Sequence, residues 1–386
     1  MTSMLDQRAA RVGAVLRDHV RRGRIPGGVV LVSDEDGVRV VAEGRLGLES
    51  GDAPIAPDSI MRVASVTKLA TAVAALQLVD DGMLSLGSSV DRWLPELRSA
   101  AVARTPTSPV DDVTPLARAI TVEDLLTSRA GWGFASDFRL PAVEALFDVQ
   151  TDGRFPHAYP DAETWLRRLA TVPLVAQPGE KWTYDTSLTV LGVLVERVTG
   201  QRLGERLAER IFEPLGMKDT SFVLRPTDGE RFARLYRVAE DELVEADDRA
   251  VWLTAPRLEL GNGGLLGTVT DWWRFGTMLL DGGHGPRGRI LSEALVRRML
   301  TDQIDEEQRA DARVFLDGQG WGYGGSIDVA DVEPWTVPGR FGWVGGTGTS
   351  VHLVPSSRTM TILMTQVMAS GPGLTDVYRD VWTAAA

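Results

Sequence analysis

The sequence predicts an α/β (α+β) fold: an antiparallel sheet assembled from both ends of the chain, flanked by helices, with a mainly helical lobe inserted between its halves. Three observations predict it. Apolar hairpin patterns lie near both termini, at residues 28–44 and 349–366; helical periodicity dominates the sequence between them; and 386 residues exceed the usual size of one compact core. The expected division is residues 1–62 with 290–386 as the sheet lobe and 63–289 as the helical lobe, with a site between them.

The N-terminal stretch has no apolar core of signal-peptide length; Leu5, Val12, Leu16 and Val20 instead mark one face of an amphipathic surface helix. Residues 28–33 (GVVLVS), the polar turn Asp34-Glu35-Asp36-Gly37 and residues 38–44 (VRVVAEG) read as a β-hairpin. After a Gly/Pro/Asp-rich loop comes the stretch the chain is organised around, residues 61–82 (MRVASVTKLATAVAALQLVDDG). Its Leu69, Ala72, Val73, Leu76 and Val79 recur at helical spacing, and Asp81-Gly82 supply the stop. Residues 101–115 are a Thr/Pro/Asp-rich loop without periodicity, and Thr121 is placed to cap a helix over 120–128. Residues 131–159 are irregular and aromatic, a composition that suits either the wall of an acyl pocket or local core. Helices are expected at 161–170, 188–198 and 203–212, the second closed by Gly200 and the third stopped by Pro214. GNGGLLG (261–267) fits neither phosphate-loop pattern and reads as a tight turn before a helix at 271–280. The second hairpin (349–354 with 359–366) and a helix at 374–384 close the chain.

A net charge of -12 argues against nucleic acid and against an anionic membrane surface as partners. No cysteine is present and the four histidines have no metal-ligand spacing, so neither metal nor cofactor is expected. No run approaches a membrane span, and the chain reads as cytoplasmic.

Ser65 and Lys68 lie three residues apart at the first turn of the central helix, a nucleophile beside a possible base. Burial, the positive end of the helix dipole and the neighbouring Arg62 all push a lysine toward the neutral form that could take a proton. The helix start also aims backbone N–H groups at any oxyanion formed beside the serine. Only three of the 41 basic residues are lysines, so a lysine kept at position 68, where arginine could not deprotonate, is informative. No GxSxG elbow competes for the role of nucleophile. Tyr184, in EKWTYDTS, is a candidate third group, since a phenol near a lysine can shuttle protons.

The segment MRVASVTKLATAVAALQLVDDGMLSL resembles the nucleophile helix of the serine β-lactamase and penicillin-binding-protein superfamily. ITVEDLLTSRAGW, PGEKWTYDTSLTVLGVLVERVTG, IFEPLGMKDTSF, GNGGLLGTVTDWWRFGTMLLDGG and WVGGTGTSVHLVP are similar to that family's later segments, in its order. The resemblance implies a β-lactamase/transpeptidase-like fold with Ser65 as acylated nucleophile, Lys68 as its base partner and Tyr184 as third catalytic group, as in the class C β-lactamase and family VIII carboxylesterase branch. It also implies an oxyanion hole from the backbone of Ser65 and Thr349, and a substrate-binding strand at Gly346-Thr347-Gly348. Two departures stand out. Thr186 replaces the asparagine of the usual Tyr-x-Asn motif, and Gly346 replaces the cation that recognises the carboxylate of β-lactams and peptides. The first candidates for the pocket wall are Trp132, Phe134 and Trp343. The expected activity is a serine hydrolase working through an acyl-enzyme, a carboxylesterase on small uncharged esters. The alternatives are β-lactamase, D-amino-acid peptidase or amidase, or acyltransferase activity at the same site, and a non-catalytic binding module on the same fold. Its partner would be a small-molecule ester or amide.

Overall fold

The computed structural model describes residues 3–386; Met1 and Thr2, at the start of the N-terminal stretch and of the expected first span, lie outside the described residues. Seven strands make the main sheet: β1 (Gly27–Asp34), β2 (Gly37–Gly44), β3 (Gly320–Trp321), β4 (Ser326–Ile327), β5 (Phe341–Gly345), β6 (Thr349–Val354) and β7 (Thr359–Thr365). Their order is β3-β4-β5-β6-β7-β1-β2, antiparallel throughout. Both expected hairpins are present, and they join where β1 pairs with β7, with Val30 opposite Leu363. The two ends of the chain thus meet in the middle of one sheet.

Five helices frame the sheet and the site: α1 (Met4–Arg21), α2 (Thr67–Asp80), α3 (Thr186–Thr199), α4 (Val269–Leu280) and α5 (Asp376–Ala385). The apolar run of β1 is continuous because both of its faces are covered. Val30 and Val32 pack with Leu5, Val12 and Leu16 of α1 and with Tyr378, Val381 and Trp382 of α5. Val29 and Leu31 face the larger core, which holds Leu76 of α2, Trp272 of α4 and Ile362 of β7. Sequence periodicity gave α2 a single apolar face, yet every residue from Thr67 to Leu78 is buried. The other face is built of Ala70, Thr71, Ala74 and Ala75, small enough for α3 and the glycine loop to approach closely. Helix α4, which falls within the stretch expected to form the helical lobe, packs on β1, β6 and β7 and so belongs to a layer on the sheet. Residues 101–115 are not purely loop: Ala101–Ala103 pairs with Val113–Pro115. Among the described residues no helix is long and apolar enough to cross a membrane.

Candidate active site

Ser65 sits in a 3-10 turn, Ala64–Val66, that leads into α2, and Lys68 follows in the first turn of the α-helix. Ala64 is held at φ +45°, left-handed geometry that costs an L-residue about 1–2 kcal/mol. Neighbours on β5, on β6 and in the hairpin turn between them hold it in place. Thr349 Oγ1 donates to the carbonyl of Val63 at 3.0 Å and Thr347 Oγ1 donates to that of Arg62. Gly345 lies so close that a Cβ there would come within 2.3 Å of the Val63 carbonyl, so the strand can approach the nucleophile turn only as glycine.

Ser65 Oγ accepts from Lys68 Nζ and from the Tyr184 hydroxyl, each at 2.9 Å. Tyr184 in turn accepts from Trp343 Nε1 at 3.0 Å, and its backbone is pinned by paired hydrogen bonds to Phe134 at 2.9 Å. Lys68 is fully buried, and its Nζ also donates to Asp185 Oδ1 at 2.6 Å and to the Asn262 carbonyl at 2.8 Å. Arg62 does not act on Lys68 as the sequence suggested. It forms a two-pronged ion pair with Asp247 at 2.7 and 2.8 Å and donates to the Ala233 carbonyl, and burial pushes its guanidinium down to about 10. The charge that faces Lys68 is instead the carboxylate of Asp185.

Asp185 itself is strained. With φ +86° and ψ -57° it sits at the centre of a γ-turn of the rarer hand, in which Thr186 N–H donates to the Tyr184 carbonyl at 3.2 Å. Such backbone costs on the order of 1–3 kcal/mol and persists only when its surroundings fix it. Here Lys68 holds one carboxylate oxygen, and Gln150 Nε2 donates to the other at 2.7 Å.

Ser65, Tyr184 and Asp185 open on a cavity of about 420 Å³. Phe134, Phe138, Phe147 and Phe315 form much of its wall, with Phe134 stacked on Phe147 at 4.9 Å and Phe315 stacked on Tyr184 at 4.6 Å. The one cation on the wall among the described residues, Arg154, is bound by Asp152 at 2.7–2.9 Å and donates to the Ala369 carbonyl at 2.8 Å.

Of the residues expected from sequence, the structure brings Ser65, Lys68, Tyr184, Trp343, Phe134 and Gly346 together at this cavity. It places the others elsewhere. Trp132 lies in the core with Nε1 donating to the Val172 carbonyl at 2.8 Å, because the strained Gly131 and Gly133 on either side turn it inward. Thr186, the first residue of α3, is buried with its hydroxyl unpaired and off the cavity wall; Asp185 occupies the wall beside Tyr184. The third motif is displaced by one hairpin turn. Residues 343–346 line the cavity, Thr347 and Thr349 point their hydroxyls at the nucleophile turn's carbonyls, and Gly348 turns the chain away at φ +86°. Thr349 lies on an interior strand, paired with Gly345 on one side and Met364 on the other, so Gly346 is the residue of this loop whose backbone reaches the cavity. A Cβ at Gly346 would come within 3.2 Å of Arg154 Cδ.

Asp185, Gln150, Asn262, Arg154, Phe138, Phe147 and Phe315 were not singled out as site residues from sequence. Asn262 belongs to the glycine loop: Gly261 lies so close to α3 that a Cβ would sit 2.2 Å from the Leu188 carbonyl, and this contact carries the Asn262 carbonyl to Lys68. For Asp185, a carboxylate next to the tyrosine in a stretch, residues 182–195, that is otherwise uncharged was the available signal.

Comparison with known proteins is consistent over nearly the whole chain. Residues 12–385 match the family described as Beta-lactamase. The chain belongs to this family. Lovastatin esterase of Penicillium rubens is 32% identical over 357 residues, 84% of this chain and 84% of that protein. Esterase EstB of Burkholderia gladioli is 36% identical over 243 residues, 62% of this chain and 57% of EstB. Among solved structures EstCE1, described as a hydrolase with promiscuous acyltransferase activity, superposes with a TM-score of 0.82 at 23% identity, over 98% of each chain. The fold is therefore the β-lactamase/transpeptidase-like one, and this beta-lactamase-family protein is a serine hydrolase or acyltransferase.

Proposed function

We propose that this protein is a carboxylesterase acting on uncharged, apolar esters through an acyl-enzyme on Ser65. The observation that carries the reading is the double hydrogen bond onto Ser65 Oγ, from Lys68 and Tyr184, at the foot of a phenylalanine-lined cavity whose cation is already paired. Ser65 attacks the ester carbon while Lys68 and Tyr184 receive its proton and return it to the leaving alkoxide. The backbone N–H groups of Ser65 and Gly346 hold the oxyanion, the second replacing the Thr349 N–H expected from sequence. Water then frees the acid; an alcohol reaching the acyl-enzyme first would make the same site a transferase, a reading favoured by the cavity's apolar wall and by the esterase and acyltransferase descriptions of its relatives.

A β-lactam or acidic peptide carboxylate would need a cation to meet it. Arg154 is the candidate on the wall, and Asp152 neutralises it. The test compares turnover and intact mass with p-nitrophenyl butyrate and with a penicillin, in the wild type and in Ser65→Ala. Turnover of the ester, lost in Ser65→Ala, with slow or absent penicillin acylation is expected. Penicillin acylation at a rate comparable to the ester would overturn the substrate assignment, and ester turnover that survives Ser65→Ala would overturn the site.

A further inference from the structure

We propose that Asp185 is a positioning residue for Lys68: together with the Asn262 carbonyl it takes two of the lysine's N–H donors, aims the remaining position of Nζ at Ser65, and stabilises the ammonium that forms when the serine proton is transferred. This rests on the hydrolase reading and adds a member to its machinery. A neutral lysine amine has two N–H groups and one lone pair, and two of the three close neighbours of Nζ, the Asp185 carboxylate at 2.6 Å and the Asn262 carbonyl at 2.8 Å, can only accept. Both N–H groups are thereby assigned. The third position of Nζ, which as an ammonium donates to Ser65 Oγ at 2.9 Å, becomes in the neutral amine the lone pair, set in the direction from which the serine proton arrives.

As the Ser65 Oγ–carbon bond forms, the carbonyl π pair moves onto the ester oxygen and the serine proton moves onto Nζ. The new ammonium then stands 2.6 Å from a carboxylate within a fully buried setting. When the intermediate collapses, the carbon–alkoxide bond breaks and the proton returns to the leaving oxygen through the Tyr184 hydroxyl, which lies 2.9 Å from Ser65 Oγ and 3.5 Å from Nζ. Asp185 keeps its charge throughout, as does the carboxylate that orients the base in a Ser-His-Asp array.

Two independent features indicate that the carboxylate is placed for this purpose. Its backbone is in the rarer γ-turn at φ +86°, a conformation that a simple α3 entry does not require. Its second oxygen is held by Gln150 at 2.7 Å, which prevents rotation away from Lys68. The charged and titratable groups around the pair are Lys68, Tyr184 and Tyr159, with Asp152 and Arg154 across the cavity paired to each other. Tyr159 registers the Asp185 charge: burial first, and then that carboxylate, push its phenol upward.

The same contact that stabilises the transferred proton also sets the pH below which Lys68 is already protonated and cannot receive one. Replacing Asp185 by asparagine removes the anion, so the acid limb of the kcat/KM profile for p-nitrophenyl butyrate is expected to move to lower pH by about one to three units, the range typical of an opposite charge at this distance. The plateau kcat is expected to fall about ten- to hundredfold with KM little changed. Asp185→Gly, which suits the positive φ, is expected to behave the same way; a purely structural turn residue would be rescued by glycine and would leave the limb in place.

An acid limb that stays where it is, or full activity in Asp185→Gly, would overturn the proposal. Ester turnover independent of Ser65 would overturn the hydrolase reading instead, so the two failures are distinguishable.

Discussion

Replacing Trp343 by phenylalanine removes one hydrogen bond and little else, which makes it a direct probe of how much charge Tyr184 carries during turnover. The indole is buried, its Nε1 donates to the Tyr184 hydroxyl at 3.0 Å, and its ring packs edge-on against Trp321 at 4.8 Å, a contact phenylalanine can keep. A hydrogen bond to a neutral oxygen contributes about 0.5–1.5 kcal/mol net and one to a charged oxygen about 1.5–3 kcal/mol. If the bond contributed equally in the ground state and the transition state, kcat would not change, because only the difference acts on the chemical step. Tyr184 passes a proton at Ser65 Oγ, so its oxygen gains negative charge on the way, and the difference of about 1–1.5 kcal/mol corresponds to roughly a tenfold fall in kcat. The assay is steady-state hydrolysis of p-nitrophenyl butyrate by the Trp343→Phe variant, with thermal unfolding to confirm that the fold is retained. A rise in KM at unchanged kcat would rule out this role, because the indole would then serve only as cavity wall.

Three further outcomes are expected from other parts of the molecule. Asp152→Asn removes the carboxylate that neutralises Arg154, so turnover of a succinate half-ester relative to the butyrate ester should rise by about tenfold, on the order of 1.4 kcal/mol of new carboxylate binding; an unchanged ratio would mean that Arg154 does not reach bound substrate. His352 is buried, and that burial, with the Arg340 guanidinium nearby, holds its imidazole well below 6.5. The folded state therefore stays unprotonated where the unfolded chain takes up a proton, and stability falls as pH drops below 6.5, by up to about 1.4 kcal/mol per unit from this one group. Urea unfolding at pH 7 and pH 5 should show a smaller pH loss in His352→Gln than in the wild type. Leu76→Ala, at a fully buried position on α2, should cost about 2–5 kcal/mol by the same method, whereas a loss under 1 kcal/mol would mean that the helix collapses onto the space.

The sequence made the scaffold and the reacting atoms legible for different reasons. Strands β1, β2, β6 and β7 carry alternating or continuous apolar patterns bounded by turn residues, and α2 carries helical spacing, so local periodicity was enough to find them. Strands β3 and β4 are two residues each and exist only because the sheet edge offers partners, which leaves no period to read. Ser65, Lys68 and Tyr184 could be named because the spacing of the first two and the motif around the third are local. Asp185, Gln150 and Asn262 could not, since what unites them is a network from three separate segments: Asp185 and the Asn262 carbonyl meet the Lys68 Nζ, and Gln150 holds the Asp185 carboxylate. Trp132 and Phe134 looked equivalent in sequence; two residues apart on a strained glycine turn, one faces the core and the other the cavity. The motif around Gly346 was misplaced because GGTG puts three glycines within four residues, at 345, 346 and 348, and only pairing of Gly345 with Thr349 fixes where the hairpin turns.

Backbone strain separates the site from the rest of the molecule by a physical criterion. Among the described residues, the non-glycine positions at positive φ divide into two groups. Glu240, Asp241, Asp317 and Arg358 lie in exposed turns, where water completes the hydrogen bonding and little else depends on the geometry. Ala64, Ser128 and Asp185 are buried. Ala64 precedes Ser65, Asp185 follows Tyr184, and the Ser128 carbonyl accepts the N–H of Thr183, the residue before that tyrosine, at 2.9 Å. Buried strain survives only where surrounding contacts over-determine it, and here those contacts are the Thr347 and Thr349 hydroxyls on the nucleophile turn, Lys68 and Gln150 on Asp185, and the paired bonds between Phe134 and Tyr184. The rigid elements α2, α3 and β5 thus fix three short irregular turns, and those turns place Ser65, Lys68 and Tyr184 within hydrogen-bonding reach of one another. A substitution that relaxed Ala64 or Asp185 could stabilise the fold while loosening the site, which is the trade expected where strain has been retained for function.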